Sequence, residues 1–259
     1  MLAWALSGGM DRLTISAASG LRARMESLEM LANNLANAAT SGYKVDRESY
    51  SLYLSAEAAQ AAADGLAPEP ATLPVIERQW TDFSQGILYA TGNPLDLAIS
   101  GRGFFVVEGP AGKLYTRNGG FRLAPSGVLT TAEGYPVSAA GGGELRAVSS
   151  APIEVAPDGT LRQANQVLGQ IAIVDFREPA LLEKQGNNYY RAGDPQAGPF
   201  SAAGFEIRQG SLEGSNASAA EGAVRLVGIL RQFEMLQRAI AVGAEMNRKS
   251  VEEVARAGS

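Results

Sequence analysis

Two long heptad patterns stand at opposite ends of this chain, and each lacks a helical neighbour in sequence against which to bury its apolar side. Near the N-terminus Leu21, Met25, Leu28, Ala32 and Leu35 fall at alternating steps of four and three, and Thr14 and Ala18 extend the line backwards. Toward the C-terminus Leu226, Leu230, Phe233, Gln237, Ile240, Ala244, Asn247, Val251 and Val254 repeat the rhythm. Alternation of four and three is the seam of a coiled coil, and polar breaks such as Gln237 and Asn247 set register at some cost in stability. Ser218 and Glu221 form a capping box that opens the second helix. The first helix, taken alone, is equally an ordinary core-facing helix. With both in view, the simplest arrangement pairs the termini in a coiled-coil-like bundle and inserts the middle of the chain between them.

That middle reads as β. Phe104–Val107, Leu114–Arg117, Phe121–Leu123, Val128–Thr131, Gln170–Phe176 and Phe205–Arg208 are short β-branched or aromatic runs. Turn residues such as Pro125-Ser126-Gly127, Pro157-Asp158-Gly159 and Asn187-Asn188 separate them. Short strands with frequent turns predict an antiparallel sandwich or barrel. Before them, Tyr50, Leu52 and Leu54 alternate as a short strand does, an alanine run follows from Ala56 to Ala63, and Pro68, Pro70 and Pro74 suggest an extended linker. The expected fold class is therefore α+β: a terminal helical domain from residues 1–42 plus 211–259, a linker over 43–75, and an all-β antiparallel domain over 76–210.

At the end of the first helix, Leu31-Ala32-Asn33-Asn34-Leu35-Ala36-Asn37 runs into Thr40-Ser41-Gly42, where Gly42 is free to take a left-handed backbone. Asparagine is a mediocre helix former, so Asn33, Asn34 and Asn37 need a reason. Either they satisfy the fraying helix end locally, or they form an amide-bearing surface for other copies or subunits.

Composition removes most chemistry. The chain has no cysteine and no histidine, which excludes disulfides, thiolate nucleophiles, histidine-based triads and the usual zinc sites. A net charge of −5 argues against a nucleic-acid surface. No run approaches the roughly 18 apolar residues of a membrane span, and the first residues lack the basic start of a cleavable signal peptide. Gly101-Arg102-Gly103 precedes a strand, whereas a dinucleotide fingerprint follows one, and it reads as a turn. No catalytic, cofactor or metal site is expected.

Three separated segments carry a resemblance. They are Leu31 to Lys44; Gly92 to Val107, continued by Tyr115-Thr116-Arg117-Asn118-Gly119 and Gly127 to Val137; and Gly210-Ser211-Leu212-Glu213-Gly214-Ser215-Asn216. In order and place they resemble the axial proteins of the bacterial flagellum, the rod and hook family. Met10-Asp11-Arg12-Leu13 and Arg231-Gln232-Phe233-Glu234-Met235 are similar to its proximal-rod branch, with the distal-rod branch or another paralogue as the alternative. Residues 1–9 lie outside that match and are expected to be either a lineage-specific extension or the product of a misassigned start codon.

The resemblance implies a structural subunit with no enzymatic activity and no cofactor. It would leave through the flagellar type III export apparatus without a cleaved signal and join the rod in the periplasm. Its partners would be other copies of itself and other rod proteins, with no nucleic acid and no membrane insertion. The residues expected to make the helix-packing and assembly contacts are Leu21, Met25, Leu28, Leu35, Asn33, Asn34, Asn37, Leu226, Leu230, Phe233 and Ile240. The competing reading is a monomeric carbohydrate-binding or hydrolytic β domain with Asp96 and Glu108 as its carboxylates. A turnover assay on peptidoglycan fragments separates the two: no activity is expected, and activity abolished by Asp96→Asn would favour the hydrolase.

Overall fold

Helices form at both ends, as the periodicity requires: α1 spans Leu2–Ala36 and α2 spans Ala219–Ala257. The computed structural model describes residues 2–54, 72–193 and 198–257. The alanine run and Pro68 and Pro70 lie outside the described residues, as do the side chains of Thr14, Asn247 and Val254. The helix α1 runs through the expected extension at residues 2–9 and ends at Ala36, before Thr40 is reached. Gly42 does adopt the left-handed backbone, with φ of +71°, but it turns the chain after the helix has finished.

The chain divides into two compact units. One holds Met1–Leu35, Asp46–Trp80 and Ala219–Ser259, and the other holds Ala36–Val45 and Thr81–Ser218. The backbone therefore passes between them at residues 35/36, 45/46, 80/81 and 218/219.

In the helical unit, the strands Asp46–Leu54 and Thr72–Thr81 pair with each other through the stretch read as linker, and Pro74 lies within the second. Asn34 ties the end of α1 to the start of this pair. Its Nδ2 donates to the Asp46 carbonyl at 2.8 Å and its Oδ1 accepts the Asp46 N–H at 3.0 Å, a side chain standing in for a strand partner. The Arg225 guanidinium of α2 pairs with the buried carboxylate of Glu48. At Gly222 the helices meet: a Cβ there would lie 3.6 Å from Leu35 Cδ1 and 3.8 Å from Leu31 Cδ1.

The β unit is built on a six-stranded antiparallel sheet in the order Leu182–Lys184, Tyr189–Ala192, Gly112–Thr116, Phe104–Gly109, Ile173–Asp175, Phe200–Ser201. It is open, not closed into a barrel. The unbroken run Phe104-Phe105-Val106-Val107 is explained by two-sided burial. Phe105 and Val107 join a core with Leu97, Ile99, Leu114 and Ile173, while Phe104 and Val106 join a second with Tyr115, Phe176 and Tyr190. Strand alternation sends successive side chains to opposite cores. Asn187 and Asn188 take positive φ of 48° and 61°, which makes the tight hairpin turn that their position predicts.

Phe105 is fully buried and meets Phe121 edge to face at 5.0 Å. Phe105→Ala is expected to cost about 3–5 kcal/mol in denaturant unfolding, whereas Val148→Ala, at an exposed site, is expected to change stability by less than about 0.5 kcal/mol.

Candidate functional site

The most constrained point of the β unit is where the chain enters and leaves it, and Glu213 is its centre. Glu213 ends a strand, Ser211–Glu213, that pairs antiparallel with Leu88–Ala90. Its side chain is wholly buried. Oε1 accepts the Lys44 ammonium at 2.6 Å and the Gly86 N–H at 2.9 Å, and Oε2 accepts Arg117 Nη1 at 3.2 Å. Lys44, also wholly buried, donates to the Ser84 carbonyl at 2.6 Å. Arg117 donates to the Gly101 carbonyl at 2.9 Å and lies 5.4 Å from the Phe104 ring centre, a cation–π contact.

Burial pushes both cations below their ordinary pKa values, Glu213 opposes that most strongly, and the more distant Asp82 and Asp175 add negative field at Lys44 and Arg117 respectively. One carboxylate thus binds three segments that are far apart in sequence.

Asn216 repeats the device without charge. Its Oδ1 accepts the Val45 N–H at 2.8 Å, and its Nδ2 donates to the carbonyls of Asp82 at 2.8 Å and Ser84 at 3.2 Å. Backbone bonds complete the closure: Gly42 N–H to Glu213 carbonyl at 2.7 Å, Asp82 N–H to Val45 carbonyl at 2.9 Å, and Gly214 N–H to Ile87 carbonyl at 2.8 Å. The approach leaves no room for side chains. A Cβ on Gly42 would stand 2.4 Å from the Asn118 nitrogen, and one on Gly86 would stand 2.0 Å from the Gly214 carbonyl oxygen.

The expected assembly residues are distributed differently. In α1 the buried line is Ala17, Gly20, Ala23, Ser27, Leu31 and Asn34. It runs about one residue ahead of the Leu21, Met25, Leu28, Leu35 seam, of which Leu21 and Leu28 are half-buried while Met25 (53%) and Leu35 (37%) are exposed. Heavy side chains weight a periodicity toward themselves, but small ones permit the closest approach, and here the small line is inside. Asn34 is buried and spends its amide on Asp46 within the same chain, Asn37 accepts the Thr40 hydroxyl at 3.2 Å, and Asn33 is exposed. In α2 the sheltered line is Gly222, Leu226, Ile229, Phe233, Leu236, Ile240 and Gly243. Leu226, Phe233 and Ile240 are on it, but Leu230 is 45% exposed. The two lines share Leu226, Phe233 and Ile240 and diverge between them, where Ile229, Leu236 and Gly243 are sheltered while Leu230, Gln237 and Ala244, expected on the seam, are exposed.

Asp96 accepts Asn93 Nδ2 at 3.0 Å, and Glu108 accepts the Ser138 hydroxyl at 2.9 Å.

The charged cluster was not singled out from sequence, although a signal existed. Lys44 is the only charged residue between Leu31 and Lys44, and Glu213 is the only one between Gly210 and Asn216, whereas Arg117 shares its segment with Asp96, Arg102 and Glu133. Lys44, Arg117 and Glu213 are two positive and one negative, and the fold brings them together.

Comparison with known proteins supplies three family matches. Residues 16–44 match "Flagella basal body rod protein", 98–172 match "Flagellar hook protein FlgE/F/G D1 domain", and 208–253 match "Flagellar basal body rod FlgEFG protein C-terminal". Among whole proteins, the chain is 33% identical to the flagellar basal-body rod protein FlgF of Caulobacter vibrioides, over 88% of this chain and 91% of that one. It is 32% identical to the flagellar basal-body rod protein FlgG of Agrobacterium fabrum, over 89% and 94%. It is 30% identical to the FlgF of Salmonella typhimurium, over 89% and 93%. Each of the three matched segments contributes one member of the buried cluster.

Removing one partner strands the other charges without water. Glu213→Leu is expected to lower unfolding free energy by about 3–5 kcal/mol. The triple variant Lys44→Met, Arg117→Leu, Glu213→Leu, which buries no charge at all, is expected to recover most of that loss when measured by circular dichroism in denaturant.

Proposed function

This chain belongs to the flagellar basal-body rod protein family, of the FlgF/FlgG type, and we propose from that premise how its two units divide the work of a rod subunit. As a structural subunit of the basal body, it contributes the helical unit to the axial core of the assembly. The helices α1 and α2 pair along their sheltered lines, coiled-coil fashion. Their remaining apolar residues are covered by helices of other copies and of other rod proteins in a helical assembly. A head-to-tail contact whose rotation does not close generates such a filament.

The observation that carries this reading is that α2 carries exposed apolar residues, interleaved with Arg231, Arg238 and Lys249, on the side opposite its sheltered line. At 100° per residue, Val224, Met235, Val242 and Met246 lie on the far side of the helix from Leu226, Ile229, Phe233 and Ile240, and all four are exposed in the single chain. On α1 the exposed Met25 continues a line with half-buried Leu21 and Leu28. Apolar residues exposed opposite a helix's sheltered line are positioned for a second neighbour. Ordering these side chains costs entropy that burial on assembly offsets.

The subunit leaves through the flagellar type III export apparatus with no cleaved signal peptide, acts in the periplasm, and carries out no catalysis. It takes neither nucleic acid nor a place inside the membrane as partner. Among the described residues no helix is long and apolar enough to cross a membrane. The FlgF-type position in the proximal rod is favoured by the match to the Caulobacter vibrioides protein. The match to the Agrobacterium fabrum protein keeps a FlgG-type position as the second reading. Expression in strains lacking one or the other protein separates them: restored motility is expected only where FlgF is missing.

The two sides of α2 also predict different defects. Met235→Asp with Val242→Asp is expected to leave the isolated chain's unfolding midpoint unchanged while abolishing polymerisation and motility. Phe233→Asp, on the sheltered line, is expected to lower the midpoint as well. Normal motility in the Met235/Val242 double variant would sink the assignment of the outer face.

A further inference from the structure

All four passages of the chain between the units are gathered on the β-unit side by bonds between β-unit residues. Lys44 and Val45 stand at the second passage, Asp82, Ser84 and Gly86 follow the third, and Glu213 and Asn216 precede the fourth. Residues just after the first passage are included too, since the Ser41 carbonyl accepts Asn188 Nδ2 at 3.1 Å and Gly42 donates to Glu213. Lys184 Nζ donates to the Lys44 carbonyl at 2.9 Å and sits 4.8 Å from the Tyr43 ring centre.

We propose that the Glu213, Lys44, Arg117 cluster and Asn216 form a latch that closes the β unit on itself, so that α1 and α2 can pair, separate or exchange neighbours without opening it. A hydrophobic seal would hold the segments as firmly, but it would not discriminate register. A carboxylate that must meet a lysine, an arginine and one backbone N–H at once is satisfied in a single alignment, and each misalignment strands a buried charge. Gly42 and Gly86, whose Cβ atoms would collide with backbone, let the strands close around it. The latch concerns the unassembled chain, and it stands or falls separately from the rod assignment.

Amide hydrogen exchange on the full chain tests it. Ile229→Asp, which charges the sheltered line of α2, is expected to speed exchange in α2 by more than about tenfold while Gly42, Val45, Gly86 and Gly214 change by less than about twofold. If those four lose protection together with α2, the latch depends on the helices and the proposal is overturned. Glu213→Gln is the converse: exchange at Gly42 and Gly86 is expected to rise at least about tenfold with α2 unchanged, and unaltered exchange there would rule out the carboxylate as the closing group. Should Glu213→Gln fail to fold, Asn216→Ala removes contacts without stranding a charge. Its expected signature is faster exchange at Val45 alone, and no change at Val45 would remove Asn216 from the latch.

Discussion

A carboxylate with no water around it is tolerable only where cations and N–H groups replace the solvent, and the closure of the β unit depends on meeting that requirement at Glu213. Its two oxygens receive an ammonium, a guanidinium and a backbone N–H. The attraction offsets a desolvation cost of several kcal/mol per ion, so the cluster adds little net stability compared with apolar side chains of the same volume. What it adds is uniqueness. Three segments, each at least 96 residues from Glu213 in sequence, meet at its two oxygens, and a shift of Lys44 or Arg117 leaves a charge buried alone. Asn216 reinforces the same alignment with neutral bonds, at lower stakes.

The β unit around this point is held by ordinary means. Its central sheet is covered on both faces, so the register of Phe104–Gly109 is doubly specified: a one-residue slip would exchange Phe105 and Val107 for Phe104 and Val106 in cores of different shape. The helical unit is less saturated. Its helices keep a sheltered line each, and α2 also exposes Val224, Met235, Val242 and Met246, the set that the proposed assembly would bury.

Much of this was legible in the residues. The two heptad patterns, the turn at Asn187-Asn188, the left-handed Gly42 and the strand run at Phe104 follow from local chemistry, since each depends on side-chain size, backbone freedom or periodicity within a few residues. The phase of the helices was not legible to better than one residue. Leu21 and Leu28 lie one position from buried Gly20 and Ser27, Met25 lies two from buried Ala23, and both lines keep helical spacing. At 229 and 230 an isoleucine and a leucine stand side by side, and pattern alone cannot rank them.

The sequence by itself determined the class, helix then β domain then helix, and the absence of histidine and cysteine chemistry, because composition and period are local properties. Only the tertiary structure decided that Lys44, Arg117 and Glu213 are one site, that Asn34 serves its own chain, and that residues 46–54 pair with 72–81 beside the helices. Those outcomes rest on contacts between residues far apart along the chain, where the free energy of an interaction is set by burial and by what else fills the same space, and neither quantity is written in any one segment.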